Sequence, residues 1–334
     1  MSLECQCDHD LGVNGQVTDY GSRNGFSSVS SQDVRVKLNL SQRQSPTSRT
    51  PEQYVTPRAT SFSSLSQRDW ANQLRARSQS YSCGFIDTHC HIDFLYKRMG
   101  VPYTTQYKKF MANHVHSYPD NYEGCVAVFC NPRTFNWHNP QDDILNLVSN
   151  ENGVWLAIGC HPKSATEFGL SHEKGLRNRL SHPKVVALGE IGLDYSAKSF
   201  GFNADIQKKV LITQLKLAVE FKLPLVIHCR DADDDCIHIM TQYVPRHHKI
   251  HLHCFSRDPV TAQRWMDAFP NIFFGFTPVI TYSSSWEPPL SAAQIPLDRV
   301  LLETDAPYFV PGQIKDVSES VHIIFVLLFS VRFC

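Results

Sequence analysis

The chain has no surplus of charge of either sign: 32 Lys and Arg stand against 32 Asp and Glu in 334 residues. Bulk electrostatics therefore gives no reason to expect a polyanion or a membrane surface as partner. Long apolar runs are also missing. The longest, Ile323 to Phe329, is seven residues, far below the ~20 that a membrane-spanning helix needs. The start, MSLECQCDHD, has no basic stretch followed by an apolar one, so no secretory leader is expected. Cysteine is present but unorganised: eleven residues, an odd number, with no Cys-x-x-Cys pair. That fits free thiols in a reducing compartment, and so an intracellular protein of the nucleus or cytoplasm. No Gly-x-Gly-x-x-Gly follows the first apolar run, which weighs against an open dinucleotide-binding sheet.

What is present divides into three parts. Residues 1–82 are dominated by Ser, Gln, Arg, Thr and Asn, and their apolar residues follow no period. Such a segment buries too little apolar surface to offset its ordering entropy, so disorder is expected. From Val34 to Cys83 it carries eight Lys and Arg and two acids. A solvated linker is the plainer reading of that arm; weak nucleic-acid holding or localisation is the sharper one. Residues 83–311 are apolar and periodic. Residues 312–334 form a short, mostly apolar tail of a different character.

In the middle part, short apolar runs recur at about 84–91, 124–130, 154–160, 184–190, 223–229, 249–254, 271–276 and 299–304. The stretches between them are mostly long enough for a crossover helix. The clearest is 203–222, where Ile206, Val210, Leu211, Gln214, Leu217, Ala218 and Phe221 form a helical stripe. Further helices are expected at 140–150, 165–180, 231–243 and 258–269. Continuous apolar strands alternating with helices mean a parallel sheet covered on both faces. Eight such units in this length predict a (β/α)8 TIM-type barrel.

A barrel of this kind presents its site at the C-terminal ends of the strands. Here those ends carry metal-binding residue types. Phe85-Ile86-Asp87-Thr88-His89-Cys90-His91-Ile92-Asp93 reads as a strand with Asp87, His89 and His91 on one face, since alternate residues share a face. Run 4 ends in Glu190, run 5 in His228, run 6 in His253 and run 8 in Asp305. Each alone is as readily a hydrogen-bonded structural residue. Together, four His and two carboxylates from five strands predict a metal centre. Six N and O ligands exceed one tetrahedral zinc but suit two divalent ions sharing a carboxylate, an arrangement that favours hydrolysis. His251 lies deeper on the face of His253, and Asp87 is either an orienting partner or an interior residue. Cys90, Cys229 and Cys254 each adjoin a proposed ligand, so the pleat turns them toward the helices, where a small thiol packs well.

At these residues the chain resembles the TatD family of metal-dependent nucleases. DTHCH, GEIGLDY, IHCRDA, HCFS and ETDAPY stand in the family's order over about residues 83–310, and the long N-terminal arm is similar to that of the family's extended animal members. The resemblance implies a phosphodiesterase acting on nucleic acid (DNA, with RNA open), often from the 3′ end, using Mg²⁺, Mn²⁺ or Zn²⁺. It implies that His89, His91, Glu190 and Asp305 hold one ion and that Glu190, His228 and His253 hold the other. Glu190 would bridge and Asp305 would serve as general base. His161, in the Gly159-Cys160-His161-Pro162 turn, would contact phosphate. Asp194, Tyr195, Arg230 and Ser256 follow ligands directly and would line the substrate groove. Lys163 stands where the family often has His. After Pro311 the motifs stop, so the eighth helix is expected to be atypical or incomplete, as in a truncated isoform with reduced or no activity. A metal hydrolase of small amides or lactones is the other alternative. Such enzymes often carry a bridging carbamylated lysine where this chain has Glu190. No membrane or obligate protein partner is expected.

Overall fold

The computed structural model describes residues 84–309, apart from 119, 136–144, 146, 147, 149 and 197–202. The expected extension over 1–82, most of the 140–150 helix and the 312–334 tail lie outside the described residues. Eight strands follow one another: β1 Phe85–Cys90, β2 Tyr122–Phe129, β3 Val154–Ile158, β4 Val185–Asp194, β5 Leu225–Arg230, β6 Ile250–Leu252, β7 Ile272–Phe276 and β8 Val300–Leu302. They form one sheet in chain order, every neighbouring pair parallel. This is the expected (β/α)8 barrel.

The described helices are α1 Ile92–Met99, α2 Tyr107–Asn113, α3 Leu170–Arg179, α4 Ala204–Phe221, α5 Asp233–Tyr243, α6 Pro259–Ala268 and α7 Glu287–Gln294. Local chemistry sets their ends. The Asn203 side chain accepts from Ile206 N to start α4, and Asp258 caps α6 ahead of Pro259. Gly100 closes α1 in the left-handed conformation. The main core lies between strands and helices, where Trp265, Tyr96, Phe110, Phe129, Phe269 and Phe274 are fully buried. Burying such aromatic side chains is the largest apolar contribution each element makes.

Inside the barrel, pleat alternation sorts a second set of residues. Val128, Cys130, Ala157, Ala187 and Val226 make a small apolar floor under one side. Under the other side the floor is polar. His251 Nε2 lies 2.8 Å from Glu303 Oε2, opposite Gly275 of β7. A Cβ on Gly275 would come within 2.4 Å of both groups, so only glycine leaves them room.

The seam between β8 and β1 decides whether the barrel closes. His91 N donates to Ala306 O at 2.7 Å and Asp305 N to His89 O at 2.9 Å. Asp87 clasps the same seam from within. Its Oδ1 accepts from Thr304 N at 2.9 Å and its Oδ2 from Thr304 Oγ1 at 2.6 Å. Burial outweighs these bonds and raises the Asp87 carboxyl to about 7. Thr304→Val keeps the branched shape and removes the hydroxyl, leaving a buried carboxylate oxygen and Ala306 N short of a partner. We expect a loss of about 2–3 kcal/mol, read as a lower urea midpoint. A loss below about 0.5 kcal/mol would show that the clasp adds nothing net.

A candidate metal centre at the mouth of the barrel

Every strand that was expected to end in a ligand delivers its side chain to one cup at the barrel mouth. His89 and His91 come from β1 and the residue after it. Their Nε2 atoms converge to 3.2 Å. The His91 ring is fixed by Nδ1, 3.1 Å from Val128 O; with the proton there, the Nε2 lone pair points into the cup. Glu190 does not end β4 as expected. The strand runs on to Asp194, and the register slips between Gly189 and Ile191 so that Glu190 is an extra, bulged residue. A bulge re-aims one side chain without ending the ladder. Gly192 then lets β4 continue, since a Cβ there would strike His228 O at 1.8 Å.

The two oxygens of Glu190 face different neighbours. Oε2 lies 3.5 Å from His89 Nε2 and 3.6 Å from His91 Nε2. Oε1 lies 2.8 Å from His228 Nδ1 and 3.6 Å from the Nε2 atoms of both His253 and His161. Asp305 sits across from it. Its Oδ1 is 3.2 Å from His91 Nε2 and 3.6 Å from His89 Nε2, and its Oδ2 is 3.7 Å from His253 Nε2. Asp305 has a positive φ of 52°, a conformation Asp tolerates better than most residues. Around Glu190, His89, His91, His161, His253 and Asp305 are buried and His228 is half-buried.

Burial alone would neutralise this cup, so the directions of its pKa shifts are informative. Burial pulls Glu190 up, but His253, His161, His228 and His89 outweigh it and hold the carboxyl well below the usual range. Burial pulls His228 down, yet Asp194 and Glu190 raise it to about 10. His253 is raised to about 9 by Glu303, Glu190 and Asp305 against the same burial. His89, buried and beside His253, falls to about 4. The cup thus demands positive charge, and takes it as protons when no cation is bound. Asp305 Oδ1 is buried without a hydrogen-bond partner, a cost that a coordinated cation removes. The donor set of imidazoles and carboxylates suits divalent ions. Ligand atoms close enough to share an ion occur in His89–His91–Glu190, His89–His253–Asp305 and Glu190–His228–His253.

His161, Asp194 and His228 form a fourth such group, but tautomer chemistry argues against it. His161 Nδ1 accepts from Lys163 N at 3.0 Å. The neutral ring therefore carries its proton on Nε2, the atom aimed at Glu190. Burial keeps the ring neutral, its pKa lowered to about 3. His161 is thus a donor into the cup. Two glutamines of α4 hold the backbone around it. Gln214 pairs with both N and O of Cys160, at 2.6 and 3.2 Å, and Gln207 with both N and O of Asp194, at 2.9 and 3.1 Å.

The expected groove residues divide. Asp194 is buried and lies 3.1 Å from His228 Nε2, with Lys163 Nζ at 3.7 Å. Arg230 Nη1 donates to Ser256 Oγ at 3.1 Å at the rim. Tyr195 points elsewhere: its hydroxyl donates to Asp235 of α5 at 2.7 Å, and it lines a surface cavity of about 380 Å³ with Asp231, Arg257 and Arg264. Glu303 was overlooked in the sequence. It is fully buried, with Oε1 3.1 Å from His253 Nδ1 and accepting from Cys254 N at 2.6 Å. The signal was its place two residues before Asp305, on the same strand face. The thiols beside the ligands stay protonated. Cys90 is pushed up by neighbouring Cys125 and burial, Cys229 by Cys236 and burial, and Cys254 by burial.

The profile of the family described as TatD related DNase matches residues 86–326, past Pro311 where the motifs stop. The human protein named 3'-5' RNA nuclease TATDN2 is 45% identical over 240 residues, 72% of this chain and 30% of that protein. The 3'-5' ssDNA/RNA exonuclease TatD of Klebsiella pneumoniae is 31% identical over 170 residues, 51% of this chain and 63% of that protein. The chain therefore spans less than two thirds of either relative. Among solved structures, YjjV, a TatD homologue of Escherichia coli K12, aligns with a TM-score of 0.56 at 28% identity, covering 70% of this chain and 83% of that one.

Proposed function

The chain belongs to the TatD-related DNase family, and on that premise we propose that it is a two-metal nuclease, hydrolysing phosphodiester bonds of single-stranded DNA or RNA from the 3′ end. The observation that carries the reading is the Glu190 carboxylate, whose two oxygens face two separate sets of imidazoles. His89, His91 and Asp305 would hold one divalent ion with Glu190, and His228 and His253 the other. When bound, Mg²⁺, Mn²⁺ or Zn²⁺ would acidify water and neutralise charge on the phosphoryl group. The relatives named as 3'-5' nucleases support the substrate class and polarity.

The side chains supply the rest. Asp305 accepts the proton of the attacking water as general base. His161 donates from Nε2 to a phosphoryl oxygen, its proton held there by the bond from Lys163 N. Arg230 and Lys163 at the rim offer positive charge to the strand. Among the described residues no helix is long and apolar enough to cross a membrane.

Metal uptake must displace protons. With His228 at about 10, His253 at about 9, and His91 held well above its usual value by Cys130 and Asp305 against burial, all three rings carry a proton at pH 7 that ligation displaces. Loading is expected to release about three protons per chain, so apparent affinity rises from pH 7 toward pH 9 and falls in acid. Calorimetry in buffers of different ionisation enthalpy reads this directly, and uptake without proton release would contradict it. The function itself is tested with 5′-labelled single-stranded DNA and RNA under Mg²⁺ or Mn²⁺. A ladder shortening from the 3′ end, abolished by chelator, is expected. Intact strands with a folded, metal-loaded protein would overturn the reading.

A further inference from the structure

We propose that Phe94 and Tyr308 form a stacking surface that receives the base of the substrate's terminal nucleotide. The proposal rests on the nuclease reading and deepens it. Phe94 stands in the first turn of α1, and Tyr308 in the turn after β8. They flank the β8–β1 seam from its two sides. The Phe94 ring lies over the His91 imidazole, centroids 5.0 Å apart and planes 28° apart. Tyr308 stands edge-on to both, 5.9 Å from His91 and 6.4 Å from Phe94.

Three observations separate these rings from ordinary core aromatics. Both are half-buried, whereas Phe110, Phe129 and Phe274 in the strand–helix core are sealed. Phe94 packs on the small interior floor and not on that core. Both also border His91, a ligand-type histidine of the cup. The opposite flank differs in kind. There Lys163 and Asp194 lie beside His228, and Arg230 donates to Ser256. In eight strands taken in order, β4 and β5 lie across the barrel from β8 and β1. The mouth is therefore apolar and aromatic on one side, cationic and polar on the other. A nucleotide has the same division, a π-faced base joined to an anionic phosphate. The floor is closed by the Glu303–His251 pair and the small apolar cluster, so a strand enters by its end and the terminal base reaches the aromatic side. Stacking on such rings tolerates any base.

The test uses the full chain and two oligonucleotides, one ending in an ordinary nucleotide and one in an abasic tetrahydrofuran analogue. Wild type is expected to favour the base-bearing end by 10- to 100-fold in kcat/KM, on the order expected for one stacked base. Phe94→Leu keeps apolar bulk against His91 but offers no π face; Tyr308→Leu does the same from the other side. Either variant should bring the ratio between the two ends toward unity, mainly through KM, with Mn²⁺ affinity retained by calorimetry. Wild type that cleaves both ends equally overturns the proposal alone. So does a variant that slows both ends by one factor, or loses Mn²⁺ affinity in proportion, for the rings then only buttress His91. Wild type that cleaves neither end removes the nuclease reading and this proposal with it.

Discussion

Glu190→Gln lowers divalent-dependent cleavage of a single-stranded oligonucleotide by about three orders of magnitude, with the barrel intact by circular dichroism. Three decades correspond to about 4 kcal/mol. The glutamine amide keeps the shape of the side chain, yet it cannot be an anion to two cations at once. It also leaves His228, His253, His89, His91 and His161 around a neutral group. Activity within tenfold of wild type would contradict the bridging role.

Glu303→Gln is expected to lower metal affinity and kcat/KM together, each by about 10- to 100-fold. Glu303 touches no proposed ion. It faces His253 Nδ1 from below while His251 holds its other oxygen, and it is the largest attractive influence on the His253 charge. Losing that charge frees the ring to turn and weakens its basicity. Gln conserves volume against Gly275, where space is short, so the test separates charge from packing. A variant with unchanged Mn²⁺ affinity would make Glu303 a space-filling residue only.

These two carboxylates show what the chain makes legible and what it hides. The eight strands could be read because continuous apolar, β-branched runs follow from burial on both faces. Glu190 could be picked out by type, but its bulge could not. β4 continues to Asp194 because Gly189 and Gly192 permit contacts with β5 that no local pattern reveals. Glu303 is hidden in the sequence because a buried carboxylate one step below the mouth has meaning only beside His251 and His253. Helix α1 was missed for a related reason. Its stripe of Ile92, Leu95, Tyr96 and Met99 begins one residue after His91, so strand and helix share the motif. The two prolines at the start of α7 masked that helix in the same way.

The seam answers a concern raised by the tail. β8 reaches β1 through backbone bonds at His89 and His91 and through the Asp87–Thr304 clasp. All of these residues lie before residue 310, so the ligand-bearing strands are joined by contacts within the described barrel. A carboxylate between two histidine sets fits a two-ion phosphodiesterase in a family described as TatD related DNase.

Anomalous diffraction from crystals grown with Mn²⁺ locates the cations that the Glu190 carboxylate is proposed to hold. The expected result is two peaks. One lies on the Oε2 side of Glu190 among His89, His91 and Asp305, and the other on the Oε1 side between His228 and His253. A single peak at Glu190, or an ion seated between His161 and Asp194 with the Oε1 side of Glu190 empty, would contradict it.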